Sequence, residues 1–408
     1  MSTSDVRILF FTGKGGVGKT TLAAATAVRL TAPARRVLVV STDPAHSLSD
    51  AFGVPLSSDP SEVADSGLYA AHVDARGLVD DAWQDLRGHL RDVLAGVGVD
   101  ELDAEELTLL PGVDELLALG EVARLAGTGR WDVVVVDCGP TAETLRLLAL
   151  PEAVGGYLER IFGRDSMRGL VTSLVSGAGW GARPAAADAI GRLAEHLGGL
   201  RELLADHTVT GVRLVLTPER VVVAESRRTL AALALRGIQV DRIIANRVVP
   251  RAGIRRGPAA TWLRTRRDEQ DAVLAELRAA IPAGLAVDVV EHRAAEPVGI
   301  TALAALADEL YGGRDPLADV GRTAPSLLQV RPLDGGGYLL KVAVPLTEQS
   351  EVDLVRVGDD LAVTVDGTRR VVALPSVLRS CVVMDAEADV DGLAVRFDAP
   401  MATGAVAT

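Results

Sequence analysis

Apolar and polar positions fall into two regimes along the 408-residue chain. Up to about residue 312, short unbroken apolar runs alternate with stretches in which apolar residues return every three or four positions. Such runs, bounded by turn residues, predict buried parallel strands, and the periodic stretches predict helices. The runs fall at residues 7–11, 36–41 (RVLVVS), 131–137 (WDVVVVD), 213–216 and 242–245. Helices are expected at 20–30, 79–125 with a break at Pro111-Gly112, 142–150, 152–206, about 225–235 and 300–310. The flexible passage Ser176-Gly177-Ala178-Gly179-Trp180-Gly181 interrupts the longest of these. Beyond Pro325 the period changes to alternation, which predicts strands at 338–344, 353–357, 361–365, 370–374 and 393–397. Asp366-Gly367 between two of them is a hairpin signal. The expected fold class is α/β, a mostly parallel sheet flanked by helices, with a small C-terminal all-β sandwich. The expected domains are 1–312, with a helical subdomain inserted at roughly 79–125 and 152–206, and 325–400. A linker rich in Gly, Pro and charge joins them at 313–324.

Composition narrows the class. A net charge of -13 and the lack of a long basic tail argue against a nucleic-acid-coating protein. Cys138 and Cys381 are the only cysteines, too few for a zinc or iron–sulfur site within one subunit or for a disulfide network. That usage fits a reducing compartment. The first strand begins within a few residues of Met1, so no signal peptide is expected. No apolar run reaches about 18 residues, so no membrane span is expected. These features lead to the expectation of a soluble cytoplasmic protein.

The chemistry concentrates where the first strand meets the first helix. Residues 11–21 read Phe-Thr-Gly-Lys-Gly-Gly-Val-Gly-Lys-Thr-Thr and meet the phosphate-loop template in full. Glycines let successive N–H groups turn toward a phosphate chain, and the helix N-terminus adds positive potential. Gly13, Gly15, Gly16, Val17, Gly18, Lys19, Thr20 and Thr21 are the expected nucleotide contacts. Lys19 would neutralise β/γ charge and Thr20 would ligate Mg²⁺. A second lysine, Lys14, directly follows the first glycine. Asp43 stands just past a predicted parallel strand, at the edge where open α/β sheets place ligands. It could orient a water toward the γ-phosphate, or serve as a turn aspartate before Pro44. Asp137, after four valines, fits the Mg²⁺-holding carboxylate of such sites, directly or through water, with a helix cap as the other reading. Gly139 could sense the γ-phosphate. Cys138 reads as a small packed residue, and His46 as structural. Arg247, Arg251, Arg255, Arg256, Arg264, Arg266 and Arg267 form a basic stretch around Trp262, read as solvated surface or a partner contact.

Together these residues resemble the ArsA family of ATPases, which includes the arsenite-pump ATPase and the ATPase that guides tail-anchored membrane proteins. The resemblance covers roughly residues 7–312. It rests on GKGGVGKTT (13–21), STDPAHSLSDAFG (41–53), DCGPTAETLRLL (137–148), Thr217-Pro218-Glu219 with Glu225 and Arg228, and Ala245-Asn246. The DPAHSLSD segment is the specific one, since the phosphate loop alone is shared with MinD, ParA and nitrogenase iron-protein relatives. The resemblance implies a P-loop ATPase with a deviant Walker A motif, working on Mg²⁺-ATP as a nucleotide-sandwich homodimer. Lys14 would be the signature lysine reaching the opposite subunit's phosphates, and Asp43 the water-activating residue of switch I. The Asp137 loop would be switch II. Asn246 would read adenine, and Pro297 would lie in the adenine loop, although AEPVG (295–299) departs from the family's EVRG. The tail resembles an α-crystallin (small heat-shock) domain through YLLKVAVP (338–345), RRVVALP (369–375) and DGLAVRF (391–397).

Departures shape the functional expectation. No Cys-x-x-Cys stands at 259–262, so a zinc-bridged dimer is not expected, and the pump's metalloid-binding cysteines have no counterpart. The chain has one phosphate loop, not a tandem pair, and only four methionines for a client groove. Leu, Ile and Val around 158–204 could line such a groove instead. The leading expectation is a homodimeric ATPase that couples nucleotide state to binding of a hydrophobic protein client, with a transient membrane-protein partner and no nucleic acid. The β-tail would add a second client surface through its strand edges. The alternative is the ATPase subunit of an arsenite or antimonite efflux system. A MinD- or ParA-like positioning switch fits the acidic balance and β-rich tail poorly.

Overall fold

The computed structural model describes residues 6–43, 47–64, 67–73, 113–137, 198–253, 256–281, 285–321, 328–333, 336–344, 346, 350–389 and 392–398. In chain order the elements are β1 (Arg7–Thr12), α1 (Lys19–Leu30), β2 (Val37–Ser41), α2 (Ser47–Phe52), β3 (Ser61–Ala64), β4 (Leu68–His72), α3 (Val113–Ala126) and β5 (Val133–Asp137). Then follow β6 (Thr210–Leu216), α4 (Arg220–Leu235), β7 (Val240–Val248), α5 (Pro258–Ala279), β8 (Ala286–Glu291) and α6 (Ile300–Tyr311). The tail carries β9 (Leu328–Pro332), β10 (Tyr338–Val342), β11 (Val352–Val357), β12 (Asp360–Val365), β13 (Thr368–Ala373), β14 (Val382–Asp389) and β15 (Gly392–Asp398). Strands β1 to β8 form one sheet in the order β3-β4-β2-β5-β1-β6-β7-β8. Only β3 is antiparallel to its neighbour among the registered pairs. This is the expected mostly parallel α/β sheet, followed by antiparallel β-structure. Among the described residues no helix is long and apolar enough to cross a membrane.

The described residues divide into two compact units that interleave along the chain. One draws on those within 1–12, 19–210 and 297–308, the other on those within 13–18, 211–296 and 309–408. In the first, β5 lies between β1 and β2, so its four valines are covered on both edges and both faces. That is why the run is uniformly apolar rather than alternating. The register sets Asp137, the first polar residue after it, opposite Phe11 of β1 and Ser41 of β2. Helix α1 buries Ala23, Ala24, Ala25 and Ala27 completely, small side chains that let its axis lie close to what it covers.

In the second unit β6, β7 and β8 run parallel. The tail forms a four-stranded sheet, β14-β15-β10-β9, and a three-stranded one, β11-β12-β13. Leu340, Val342, Val395 and Phe397 from the first meet Leu361, Val363 and Val365 from the second in one core, each set at the two-residue spacing of a sheet face. Ala231 and Leu235 of α4 belong to that same core, and Arg370 donates to the Leu235 carbonyl. Asp366 (φ 48°) and Gly367 (φ 79°) make the two-residue turn between β12 and β13, as their sequence predicts.

Residues 313–321, within the stretch expected as a linker, are fastened to the strands of this unit. Arg213 donates to the Tyr311 hydroxyl and the Pro316 carbonyl, Arg242 pairs with Asp288 and Asp319, and Arg314 reaches Asp288 at 3.1 Å. Sequence pattern missed β3, β4, β8, β9 and β14. β8 is interrupted by Asp288, and β14 turns acidic halfway, so neither shows the periodicity of a buried strand. α5 was missed as well, its first half falling in the basic stretch. The helices expected at 142–150 and over most of 152–206 lie outside the described residues, as do 79–112.

Candidate functional site

β1 delivers the chain into the glycine loop, whose backbone geometry depends on specific contacts within the second unit. Gly13 has φ 146°, and a Cβ there would fall 2.1 Å from the Val215 carbonyl oxygen of β6. Gly18 has φ 94°, and its Cβ would fall 2.4 Å from Nδ2 of Asn246. No other residue fits either place. Gly15 and Gly16 differ, since a Cβ on either would meet nothing within 4 Å. Their glycines leave the loop's outer side open for a ligand to reach backbone N–H groups. Nδ2 of Asn246 donates to the Val17 carbonyl at 2.8 Å. Lys14 Nζ pairs with Glu225 of α4 at 2.9 Å, both half-exposed. Beside the loop lies a cavity of about 990 Å³, walled by Lys14, Val221, Trp262, Arg266, Gln270 and His292 among others.

The first unit supplies the groups at the strand ends and the first turn of α1, which begins at Lys19 and includes Thr20 and Thr21. Asp137 is fully buried, and its Oδ2 accepts from the Ser41 hydroxyl at 3.1 Å. Ser41 Oγ in turn accepts the Asp43 N–H at 3.2 Å, while Thr42 N–H donates to the Asp137 carbonyl. Thr20 and Ser47 hydroxyls lie 3.1 Å apart, so the start of α2 faces the start of α1. Burial pushes the Asp137 carboxyl above the usual range. The Thr20 and Ser41 hydroxyls and the Lys19 charge hold the anion against that push, and the Asp43 charge adds to it. Oδ1 of Asp137 accepts no hydrogen bond among the described residues. A buried carboxylate oxygen left bare beside hydroxyls is the donor set of a hard divalent cation. The residues present therefore fit Mg²⁺, which uses one or two carboxylates and keeps most of its waters.

The structure thus gathers Lys19, Thr20, Asp43 and Asp137 in one unit, and the loop residues 13–18 with Asn246 in the other. Pro297 lies in the first unit, on the approach to α6, where Gly299 N–H donates to the Ala51 carbonyl at the end of α2. His46, Cys138 and Gly139 lie outside the described residues. Ser41, Ser47 and Gln270 were not singled out from sequence. Ser41 had a signal, as the polar end of an apolar run one step before the Asp43 turn. Gln270 had none. Three arginines of the basic stretch form ion pairs: Arg251 and Arg267 with Asp271, Arg266 with Glu219 and Glu269, Arg267 also with Glu291.

Comparison with known proteins decides the lineage. The family described as anion-transporting ATPase, ArsA type, matches residues 6–312. The chain belongs to the ArsA family of ATPases. An HSP20-like domain found in ArsA matches residues 335–397, the β-sandwich tail. Protein Rv2184c of Mycobacterium tuberculosis is 38% identical over 97% of this chain and 96% of its own length. A Prosthecochloris vibrioformis protein, named as a candidate arsenical pump-driving ATPase, is 32% identical over 91% of this chain and 90% of its own. ATPase GET3B of Arabidopsis thaliana is 35% identical over 58% of this chain and 63% of its own. The ArsA match and the sandwich match together span the two β-architectures seen in the fold.

Proposed function

We propose that this ArsA-family chain hydrolyses ATP with Mg²⁺ as a homodimer, and that its nucleotide state governs binding of a hydrophobic protein client. The observation that carries the reading is Asp137. It is a buried carboxylate with one oxygen that accepts no hydrogen bond among the described residues, at the end of a central strand, under the influence of Lys19 and Thr20 from the phosphate-loop helix. Residues 13–21 are one uninterrupted stretch, so loop amides and the first turn of α1 would serve a single phosphate chain. Thr20 and Asp137 would hold Mg²⁺, which supplies charge neutralisation at the β/γ oxygens when bound. Asp43, positioned through its N–H on Ser41, would orient and accept a proton from the attacking water. Lys14 would leave Glu225 and reach the partner subunit's phosphates; a half-exposed ion pair of this kind is worth about 0–1 kcal/mol, little resistance to such a move. Asn246 and Pro297 would contribute to the base site, as the resemblance implies.

The client reading draws support from the tail. Val382 and Met384 are each 59% exposed on β14, which forms an edge of its sheet, and strand addition there would cover them. The efflux reading draws on the name carried by the Prosthecochloris relative. Against it, Cys381 is buried in the sandwich core with its Sγ on the Val377 carbonyl, which offers no metalloid a second thiol. The deciding experiment is light scattering and an ATPase assay on wild type, Lys14→Ala and Asp43→Asn, with and without arsenite. The expected outcome is an ATP-dependent dimer, indifferent to arsenite, whose turnover falls by about 10³ in either variant while nucleotide still binds. Arsenite-stimulated turnover would transfer the assignment to efflux, and wild-type turnover in Lys14→Ala would refute the trans lysine.

A further inference from the structure

β7 breaks its pairing with β8 at its end. Ala245 is in register with Val289 and Val248 with Glu291, so two residues, Asn246 and Arg247, stand opposite one. This is a bulge, and it sits beside the phosphate loop. Arg247 takes a left-handed backbone, φ 57°, costly for a residue with a long side chain. Strain of this kind persists where neighbours over-determine it, and here Gln270 of α5 is the neighbour. Gln270 is 4% exposed, and its Oε1 accepts the Val249 N–H at 2.7 Å. Its Nε2 donates to the Arg247 carbonyl at 3.5 Å. One buried amide therefore grips the strand on the strained residue and two residues beyond it. On the other side of the bulge, Asn246 gives its Nδ2 to the Val17 carbonyl and occupies the space a Cβ at Gly18 would need.

We propose that Gln270 and Asn246 are positioning residues of the phosphate loop: Gln270 locks the β7 bulge, and the bulge holds the Asn246 amide against Val17. The proposal rests on reading residues 13–21 as the nucleotide site. With the Val17 carbonyl drawn toward Asn246, the peptide plane between Val17 and Gly18 is fixed. The neighbouring N–H groups then keep one orientation before any phosphate arrives. Loss of the lock leaves the loop free to rotate those amides away, so binding of both ADP and ATP weakens. Base recognition by Asn246 would make a different demand, a difference between adenine and other bases.

Nucleotide affinity is measured by calorimetry, with ADP and GDP as probes, on full-length wild type, Gln270→Met and Asn246→Asp, alongside thermal melts. Met copies the length of Gln without its donor or acceptor, and Asp turns the donor toward Val17 into an acceptor. The expected result is about a tenfold loss of ADP affinity in each variant at a temperature well below its melt. The ADP-to-GDP ratio stays unchanged in Gln270→Met, and the double variant loses no more than about the larger single effect. A Gln270→Met protein that melts earlier yet binds ADP within about twofold of wild type would overturn the proposal. Full additivity in the double variant would do the same. If Gln270→Met does not fold, hydrogen exchange on wild type decides: ADP should slow exchange across 246–250 together with 13–21. Protection confined to 13–21 would overturn the lock. Wild type that binds neither nucleotide would instead remove the reading of the loop itself.

Discussion

Asp241 shows how far a single buried group departs from its ordinary chemistry. Its side chain is 8% exposed, its oxygens accept no hydrogen bond from another described residue, and its nearest cation, Arg213, stands at 3.7 Å. Burial pushes its pKa up to about 6, which Arg213 opposes and Asp319 reinforces. The folded state then binds a proton between roughly pH 4 and 6 that the unfolded chain does not, so this group adds stability as pH falls through that window. Asp241→Asn removes the linkage. The stability of wild type relative to Asp241→Asn is expected to rise by about 1 kcal/mol between pH 7 and pH 5, read from urea melts at the two values. A flat difference would mean the carboxylate is paired better than its surroundings indicate. Gly13 makes a steric prediction instead. An alanine there must displace the Val215 backbone, so nucleotide affinity should fall more than about tenfold by calorimetry, even if the variant stays folded. At this scale the sequence was legible where a template fixes identity and spacing together, as from Gly13 to Thr21. Ser47 and Gln270 were not legible, because nothing in one side chain's neighbours along the chain tells which distant group it will meet.

Elements were legible in proportion to how completely the sheet covers them. β5 and β2 announced themselves because both faces and both edges are buried, which makes every position apolar. β14 did not, since it exposes most of its length and carries carboxylates there, and β8 did not, since its half-buried run is interrupted by Asp288. α5 was obscured by its own surface: Arg266 and Arg267 looked like part of one cationic patch until Glu219, Asp271 and Glu291 came alongside. The β12–β13 hairpin was the easiest element of all, and it makes the cleanest test. Gly367 has open space around a would-be Cβ, so Gly367→Ala probes backbone conformation alone. The expected loss is about 1–2 kcal/mol in urea melts, with ATPase activity at moderate temperature unchanged. A neutral Ala would mean that the turn relaxes to another type without disturbing the register of its strands.

Across the whole molecule, two architectures recorded separately in the sequence share a core in the structure. Period-2 alternation in the tail pointed to a self-sufficient sandwich, and nothing in the pattern of residues 225–235 showed that one end of that helix would enter it. Leu235 is fully buried among the sandwich side chains. Leu235→Ala should cost about 2–5 kcal/mol. The loss should appear by hydrogen exchange in β10, β12 and β15 as well as in α4. Exchange confined to α4 would mean that the two parts melt separately.

That shared leucine also carries a reading of ancestry. A chain of this lineage without the tail would present Leu235 and Ala231 to water, beside a helix end whose carbonyl had lost its arginine. Selection for solubility would replace them with polar residues. The character of these two positions should therefore track the presence of the sandwich across relatives, and mark in any sequence whether a lost tail was shed recently or long ago.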